Sequence, residues 1–234
     1  MSMSSLPSEV AQKVIKFVKD PSSSFLWIQG PVHTPSEQRL SVIALLFCNS
    51  ALEGDPPVPC VCFTPKSSYP SESDLESTSR QERVLVAMLY SLAWQLIQLL
   101  PEEFEASTST LDKRALERLD GSSASTSAAL DLIKVLLAYG PPTLMVIVNR
   151  LQVAECAATT PYLKRLVQLL QGYDPTRIIK VLFITGGASP ALTETLNFLT
   201  EKVDARKMAQ AKPGQPLRGW VSLSNLSNSN NQDE

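Results

Sequence analysis

The chain has one histidine, His33, among 234 residues. That scarcity removes whole classes of chemistry: an HExxH zinc site needs two imidazoles, and a serine or cysteine nucleophile activated by histidine would have to use His33. Glycine is also sparse. The nine glycines stand at 30, 54, 121, 140, 172, 186, 187, 214 and 219, so a G-x-G-x-x-G dinucleotide loop occurs nowhere. Four cysteines, Cys48, Cys60, Cys62 and Cys156, are too few and too scattered for the disulfide scaffold of a small secreted domain. The opening MSMSSLPSEV lacks the apolar stretch of a signal peptide, so the expectation is a cytoplasmic, reduced protein. An excess of basic charge is missing too. With 21 Lys and Arg against 23 Asp and Glu the net charge is -2, which gives no electrostatic reason to expect a nucleic-acid or membrane partner. The most apolar stretch, residues 84–100, holds Ser91, Gln95 and Gln98 and falls short of the ~20 apolar residues that cross a bilayer. It reads as a buried helix.

What is present is the composition of a globular protein, 44% apolar and 19% charged. The length suits one domain, which typically takes ~100–200 residues. The expected organisation is an N-terminal amphipathic helix within residues 1–20, one domain over 21–223 and a disordered tail over 224–234, where SNLSNSNNQDE has too little apolar content to fold. Asn225-Leu226-Ser227 matches a glycosylation sequon, which a chain without a secretion signal would not present to that machinery.

Val10, Val14, Phe17 and Val18 recur at helical spacing over residues 8–19. Phe25-Leu26-Trp27-Ile28-Gln29 is a short β-favouring run, bounded by Gly30-Pro31. Thr34-Pro35-Ser36-Glu37 then gives a capping box with proline at the first helical position, opening a helix to about Leu52. Residues 58–63 form a second strand, which Pro59 marks as a sheet edge. Helices follow over 82–100, around 111–119 and over 128–139. The almost wholly apolar run 143–148 reads as a mid-sheet strand buried on both faces. A helix over 161–170, a strand over 178–185 and a helix over 190–207 complete the series, with a last short strand over 219–223. Alternating strands and helices of this kind predict an α/β fold, a three-layer sandwich with a mainly parallel sheet of about five strands. Ligands in such folds bind beyond the carboxyl ends of the strands.

The element order and the phrases FLWIQG, LYSLAWQLIQLLP, TLMVIVNRLQ and KVLFIT resemble the NACHT-type P-loop NTPase domains of fungal signalling proteins, which belong to the STAND class. The resemblance covers residues 25–199. It implies a phosphate loop after the first strand, an acidic magnesium motif after a mid-sheet strand, and a polar sensor with a nearby arginine after the next. Here the phosphate loop reads Gly30-Pro31-Val32-His33-Thr34-Pro35-Ser36-Glu37. Pro35 stands at the second glycine, Ser36 at the lysine and Glu37 at the hydroxyl residue. The two prolines remove N–H donors, and Glu37 brings negative charge to the helix N-terminus. At the acidic motif stands Asn149, followed by Arg150, Leu151, Gln152 and Val153. At the sensor, Thr185 keeps a hydroxyl, but Gly186-Gly187 follows where the arginine would be. Three motifs have lost their chemistry together.

The resemblance thus implies a catalytically inactive domain acting as a protein-interaction or regulatory module, with a related NACHT-type protein or a second copy of itself as partner. No cofactor or metal is expected. The alternative is an atypical nucleotide-binding enzyme, taking ATP or GTP with Mg²⁺ at Gly30, His33, Ser36, Arg39, Asn149 and Thr185, with His33 or Arg39 replacing the lysine charge. A second alternative is a structural subunit of a larger assembly. Cys60 and Cys62, two apart on a strand, point to one face and read as small core residues, as does Cys156, since no second Cys/His pair completes four metal ligands. Trp94 is expected in the core, with an exposed partner-binding patch as the other reading. The Ser/Thr-rich stretches at 67–79 and 107–127 read as solvated linkers, with phosphorylation as the alternative.

Overall fold

The computed structural model describes residues 5–32, 35–53, 56–65, 80–103, 116–172, 176–196, 200–206 and 220–222. The tail, the serine-rich linker and most of the short helix expected around 111–119 lie outside these residues, as does His33. The element order is β1 (Ser5–Pro7), α1 (Ser8–Lys19), β2 (Ser24–Gly30), α2 (Pro35–Leu52), β3 (Cys60–Phe63), α3 (Arg80–Gln98), α4 (Thr126–Tyr139), β4 (Thr143–Asn149), α5 (Thr160–Gln171), β5 (Ile178–Gly186), α6 (Pro190–Thr195), β6 (Thr200–Asp204) and β7 (Trp220–Ser222). Two short 3₁₀ turns, Ser123–Ser125 and Leu151–Ala154, precede α4 and follow β4.

Five strands form one all-parallel sheet in the order β3-β4-β5-β2-β6. Helices cover both faces, so the molecule is a three-layer α/β sandwich. The apolar runs of β4 and β5 are buried along nearly their whole length, as a parallel sheet covered on both sides requires. Alternation sends Leu182 and Ile184 to the face covered by α1 and α2, where they join Val10, Phe17, Ile43 and Phe47. Val181 and Phe183 point the other way, into a larger cluster built with α3, α4, α5 and α6.

The sheet departs from the sequence reading in two places. β4 is interior as expected, between β3 and β5, and the departures lie after β5 and at the chain's two ends. The helix expected over 190–207 stops at Thr195, and β6 pairs with β2 in register Phe25↔Thr200 to Gln29↔Asp204. Glu201 and Lys202 favour helix locally, so the signal for a strand is weak. The open edge of β2 overrides it, because β6 satisfies that row of backbone groups, buries Val203 and lays the Lys202 ammonium 3.9 Å from the Trp27 ring. Finally, the strand at 220–222 does not extend this sheet; it pairs antiparallel with β1, an element the sequence did not announce.

Two basic residues tie helix ends to the sheet. The buried Lys180 donates to the carbonyls of Phe17, Val18 and Asp20, in and just beyond the last turn of α1, where the helix dipole is negative. Burial pushes its pKa down and the Asp20 charge opposes that shift. Arg177 Nη1 donates to Leu137 and Gly140 carbonyls, each at 2.8 Å, closing the end of α4.

The polar residues inside the apolar stretch of α3 also have a task. Gln95 Oε1 accepts from the Cys62 N–H at 2.8 Å, and its Nε2 donates to the Cys62 carbonyl at 2.9 Å. The side-chain amide thereby imitates a neighbouring strand and covers the edge strand β3 at Cys62. Trp94, one residue earlier, is 64% exposed and so does not join the core, while Leu92, Ala93 and Leu96 are buried. A helix of this kind has one inward stripe, and Trp94 falls outside it. Among the described residues no helix is long and apolar enough to cross a membrane.

Candidate functional site

Because the five strands are parallel, Gly30, Phe63, Asn149, Gly186 and Asp204 all end on one side of the sheet. The helix after β2 lies on one face and the helix after β5 on the other, although the two strands are neighbours. Such a reversal opens a crevice between the strand ends, where α/β folds bind ligands. Here Gly30, Pro31 and Val32 stand on one side of that reversal and Gly186 and Gly187 on the other.

The two sides are fastened together. The Gly187 N–H donates to the Gly30 carbonyl at 2.8 Å. Gly187 has φ +98°, a conformation that side chains rarely adopt, and a Cβ there would meet Val32 Cγ2 at 2.5 Å. Val32 therefore sits against the bare Gly187 backbone, in the space a side chain would need. Pro31 is buried and supplies no N–H donor.

Thr185 is fully buried. Its hydroxyl accepts the Trp27 indole N–H at 2.8 Å and donates to the Gly187 carbonyl at 2.8 Å. A hydroxyl has a single proton to give, so this one has none left to donate to a phosphate oxygen. Its partner Trp27 was read from the sequence only as part of a β-favouring run. The legible signal was an indole on the strand paired with the one bearing Thr185, because a buried Trp N–H requires an acceptor.

Asn149 is also fully buried, on the opposite face, in line with Met145 and Ile147. Its Nδ2 donates to Ser41 Oγ of α2 at 2.9 Å and lies 3.4 Å from Thr64 Oγ1. Its Oδ1 is buried without a hydrogen-bond partner. An aspartate here would bring charge for a cation; the amide brings one unsatisfied neutral acceptor. The sheet thus separates Asn149 from Thr185, whose side chains leave it on opposite sides. Ser36 and Arg39 lie on α2, within Pro35–Leu52, and Gly30 is buried at the end of β2.

Arg150 continues the turn with φ 59° and donates its N–H to the Ile184 carbonyl at 2.7 Å. The carboxylate that follows is structural: Glu155 Oε1 accepts from Ser189 Oγ at 3.0 Å and from the Ala191 N–H at 2.6 Å, at the start of α6. Partial burial raises its pKa against those two hydrogen bonds, and Oε2 is buried without a partner. The link was not visible in sequence, since its partners lie 34 and 36 residues further along.

The cysteines depart from expectation as well. Cys60 and Cys62 share a face as alternation requires, but Cys48 of α2 joins them, with its Sγ 3.6 Å from Cys60 Sγ. Cys156 is no core residue; it is half-buried in the loop after β4 and takes a hydrogen bond from Thr159 Oγ1 at 3.4 Å. Among the described residues no group of three His, Cys, Asp or Glu side chains is arranged to hold a metal ion. No protein-family model matches this chain, and no curated protein matches it.

Proposed function

We propose that the chain is a catalytically inactive, NACHT-like P-loop domain that acts as a protein-interaction or regulatory module. The observation that carries this reading is the Trp27–Thr185–Gly187 hydrogen-bond chain, which commits the only proton of the hydroxyl at the sensor position to the protein's own backbone. Val32 against Gly187 supports it, since an apolar side chain, with no N–H, ammonium or hydroxyl group to offer, is what packs where these two strand ends meet. The uncharged Asn149 supports it too. A partner surface is offered by α3, where the exposed Trp94 and Ile97 lie three residues apart on one side of the helix. The partner would be a related NACHT-type protein or a second copy of the chain, in a cytoplasmic setting, with no nucleotide, metal, nucleic acid or membrane required.

The test is calorimetric titration with ATP, ADP and GTP, with and without Mg²⁺, alongside co-precipitation of the intact chain and its Trp94→Glu variant. No heat at millimolar nucleotide, with a partner captured by the wild type and lost by the variant, is the expected result. Magnesium-dependent micromolar binding would reject the reading.

One observation favours the atypical nucleotide-binding alternative. The unpaired Oδ1 of Asn149, beside Ser41 and Thr64, is an acceptor able to take a hydrogen bond from a water on a metal. That alternative requires Gly30, His33, Ser36, Arg39, Asn149 and Thr185 to act together, and it predicts that Asn149→Leu abolishes nucleotide binding.

A further inference from the structure

Cys48 lies in the second half of α2, and Cys60 and Cys62 lie on the edge strand β3. All three pack on the same side of the sheet, against the cluster of Leu26, Ile28, Met145 and Ile147. Cys60 Sγ is 3.6 Å from Cys48 Sγ, and Cys62, two residues further along β3, packs on the same face. All three are free, half-buried thiols. A helix and a strand that are close in sequence therefore bring three thiols to one face of the sheet, with Cys48 in contact with Cys60.

We propose that this cluster is an oxidisable thiol site in which a hydroperoxide joins Cys48 to Cys60 in a reversible disulfide. One thiol loses its proton and attacks the terminal peroxide oxygen; the O–O bond breaks, a sulfenic acid forms, and water or an alcohol leaves. The second sulfur, losing its own proton, attacks the sulfenic sulfur and releases water. Two thiols thus give up two electrons and two protons, and the peroxide takes them. The sulfurs must close from 3.6 Å to about 2.05 Å, a step that side-chain rotation and a small shift of the end of α2 can supply. Cys62 can then take over the bond by exchange: its thiolate attacks Cys48 Sγ, and Cys60 leaves as the thiolate. Either bond pins α2, the helix that follows the candidate phosphate loop, to the sheet edge.

Mutual hydrogen bonding and burial set the threshold. The Cys48 thiol is pushed up to about 12, first by its hydrogen bond with Cys60 and then by burial, against an opposing bond with Cys62. Cys62 is raised by its bond with Cys48 and by burial. Both stay protonated at neutral pH, which slows the first attack on the peroxide. Cys156 supplies the contrast. Partial burial raises it, but hydrogen bonds from the Thr159 hydroxyl and from the Thr159 and Ala158 backbone outweigh that, and the net shift is downward.

The experiment treats the reduced full chain with hydrogen peroxide, blocks remaining thiols with N-ethylmaleimide, and maps the peptides by mass spectrometry. The expected product is an intramolecular peptide pair joined through Cys48 to Cys60 or Cys62, lighter by two hydrogen atoms and restored by dithiothreitol. Cys156→Ser leaves that product unchanged, and Cys48→Ser loses it. Oxidation confined to Cys156, conversion of the cluster to sulfinic acids without a bridge, or bridges only between molecules would each overturn the proposal. So would a stoichiometric metal ion that shields the three thiols in the purified protein. Should Cys48→Ser fail to fold, the wild-type and Cys156→Ser maps decide by themselves.

Discussion

Leu182 and Phe183 are neighbours in β5, yet they enter two different environments. The Phe183 face, under α3 to α6, is a wide cluster of aliphatic and aromatic side chains; its buried Thr185 is satisfied by Trp27 and by backbone. The Leu182 face, under α1 and α2, is smaller, and its polar groups stand among the apolar side chains of the sheet: the Lys180 ammonium, the Asn149 amide and the Cys60 and Cys62 thiols, with Cys48 facing them from α2. By contrast, Ser125, Thr126, Thr159 and Ser189 of the larger face are buried at helix starts, away from the strands. The difference is one of tolerance. An apolar face answers to volume, because close-packed interiors leave unfilled space costly. A face holding buried polar groups answers to partners, since each donor or acceptor left alone carries its desolvation cost.

The sharpest way to break this contrast is to empty the larger face. Phe183→Ala is expected to cost about 3–5 kcal/mol in urea unfolding, because a fully buried ring leaves a cavity that five strands and four helices cannot close. A much smaller loss would mean that the face repacks and is not the rigid one. On the other face, Lys180→Met keeps most of the side-chain volume but strips the carbonyls of Phe17, Val18 and Asp20 of their donor. The expected loss is about 1–3 kcal/mol, with faster amide exchange at the end of α1. An unchanged stability would show that water replaces the ammonium and that volume governs this face too.

At the strand ends where the two faces meet, Gly187→Ala should lower stability by about 1–2 kcal/mol from its backbone conformation alone. Further loss would come from the approach of Val32. Adding Val32→Ala relieves the contact but not the φ of +98°, so the double variant should recover only part of the difference in thermal melts. Full recovery would mean the glycine is there for space alone.

The smallest effect concerns Glu155. Its pKa lies above the ordinary 4.5, so the folded chain binds this proton more tightly than the unfolded chain does. Between 4.5 and the raised value the folded state holds more protons, and stability falls as pH rises through that window. Glu155→Gln should flatten that slope in urea midpoints taken from below pH 4.5 to neutrality, while keeping an acceptor for Ser189 and Ala191.

Much of the layout was legible in advance. The apolar runs of β4 and β5 declared buried parallel strands, Pro59 marked an edge, and the spacing of Val10, Val14 and Phe17 gave α1 its inward face. The site was less so. Asn149 and Thr185 could be named from their position after strands, but not their separation onto opposite faces, nor the indole that occupies Thr185. Trp94 looked like core because composition along a helix does not reveal which side faces a neighbour.

Periodicity and composition by themselves determined the layer architecture, because burying a 3.6-residue stripe or a fully apolar strand leaves few packings open. Partners distant along the chain belonged to the tertiary structure: Trp27 with Thr185, Gln95 with the edge of β3, Lys180 with the end of α1, and β6 against β2. Each of these is a hydrogen-bonding group whose satisfaction depends on what folding brings within about 3 Å, a distance that no local pattern encodes.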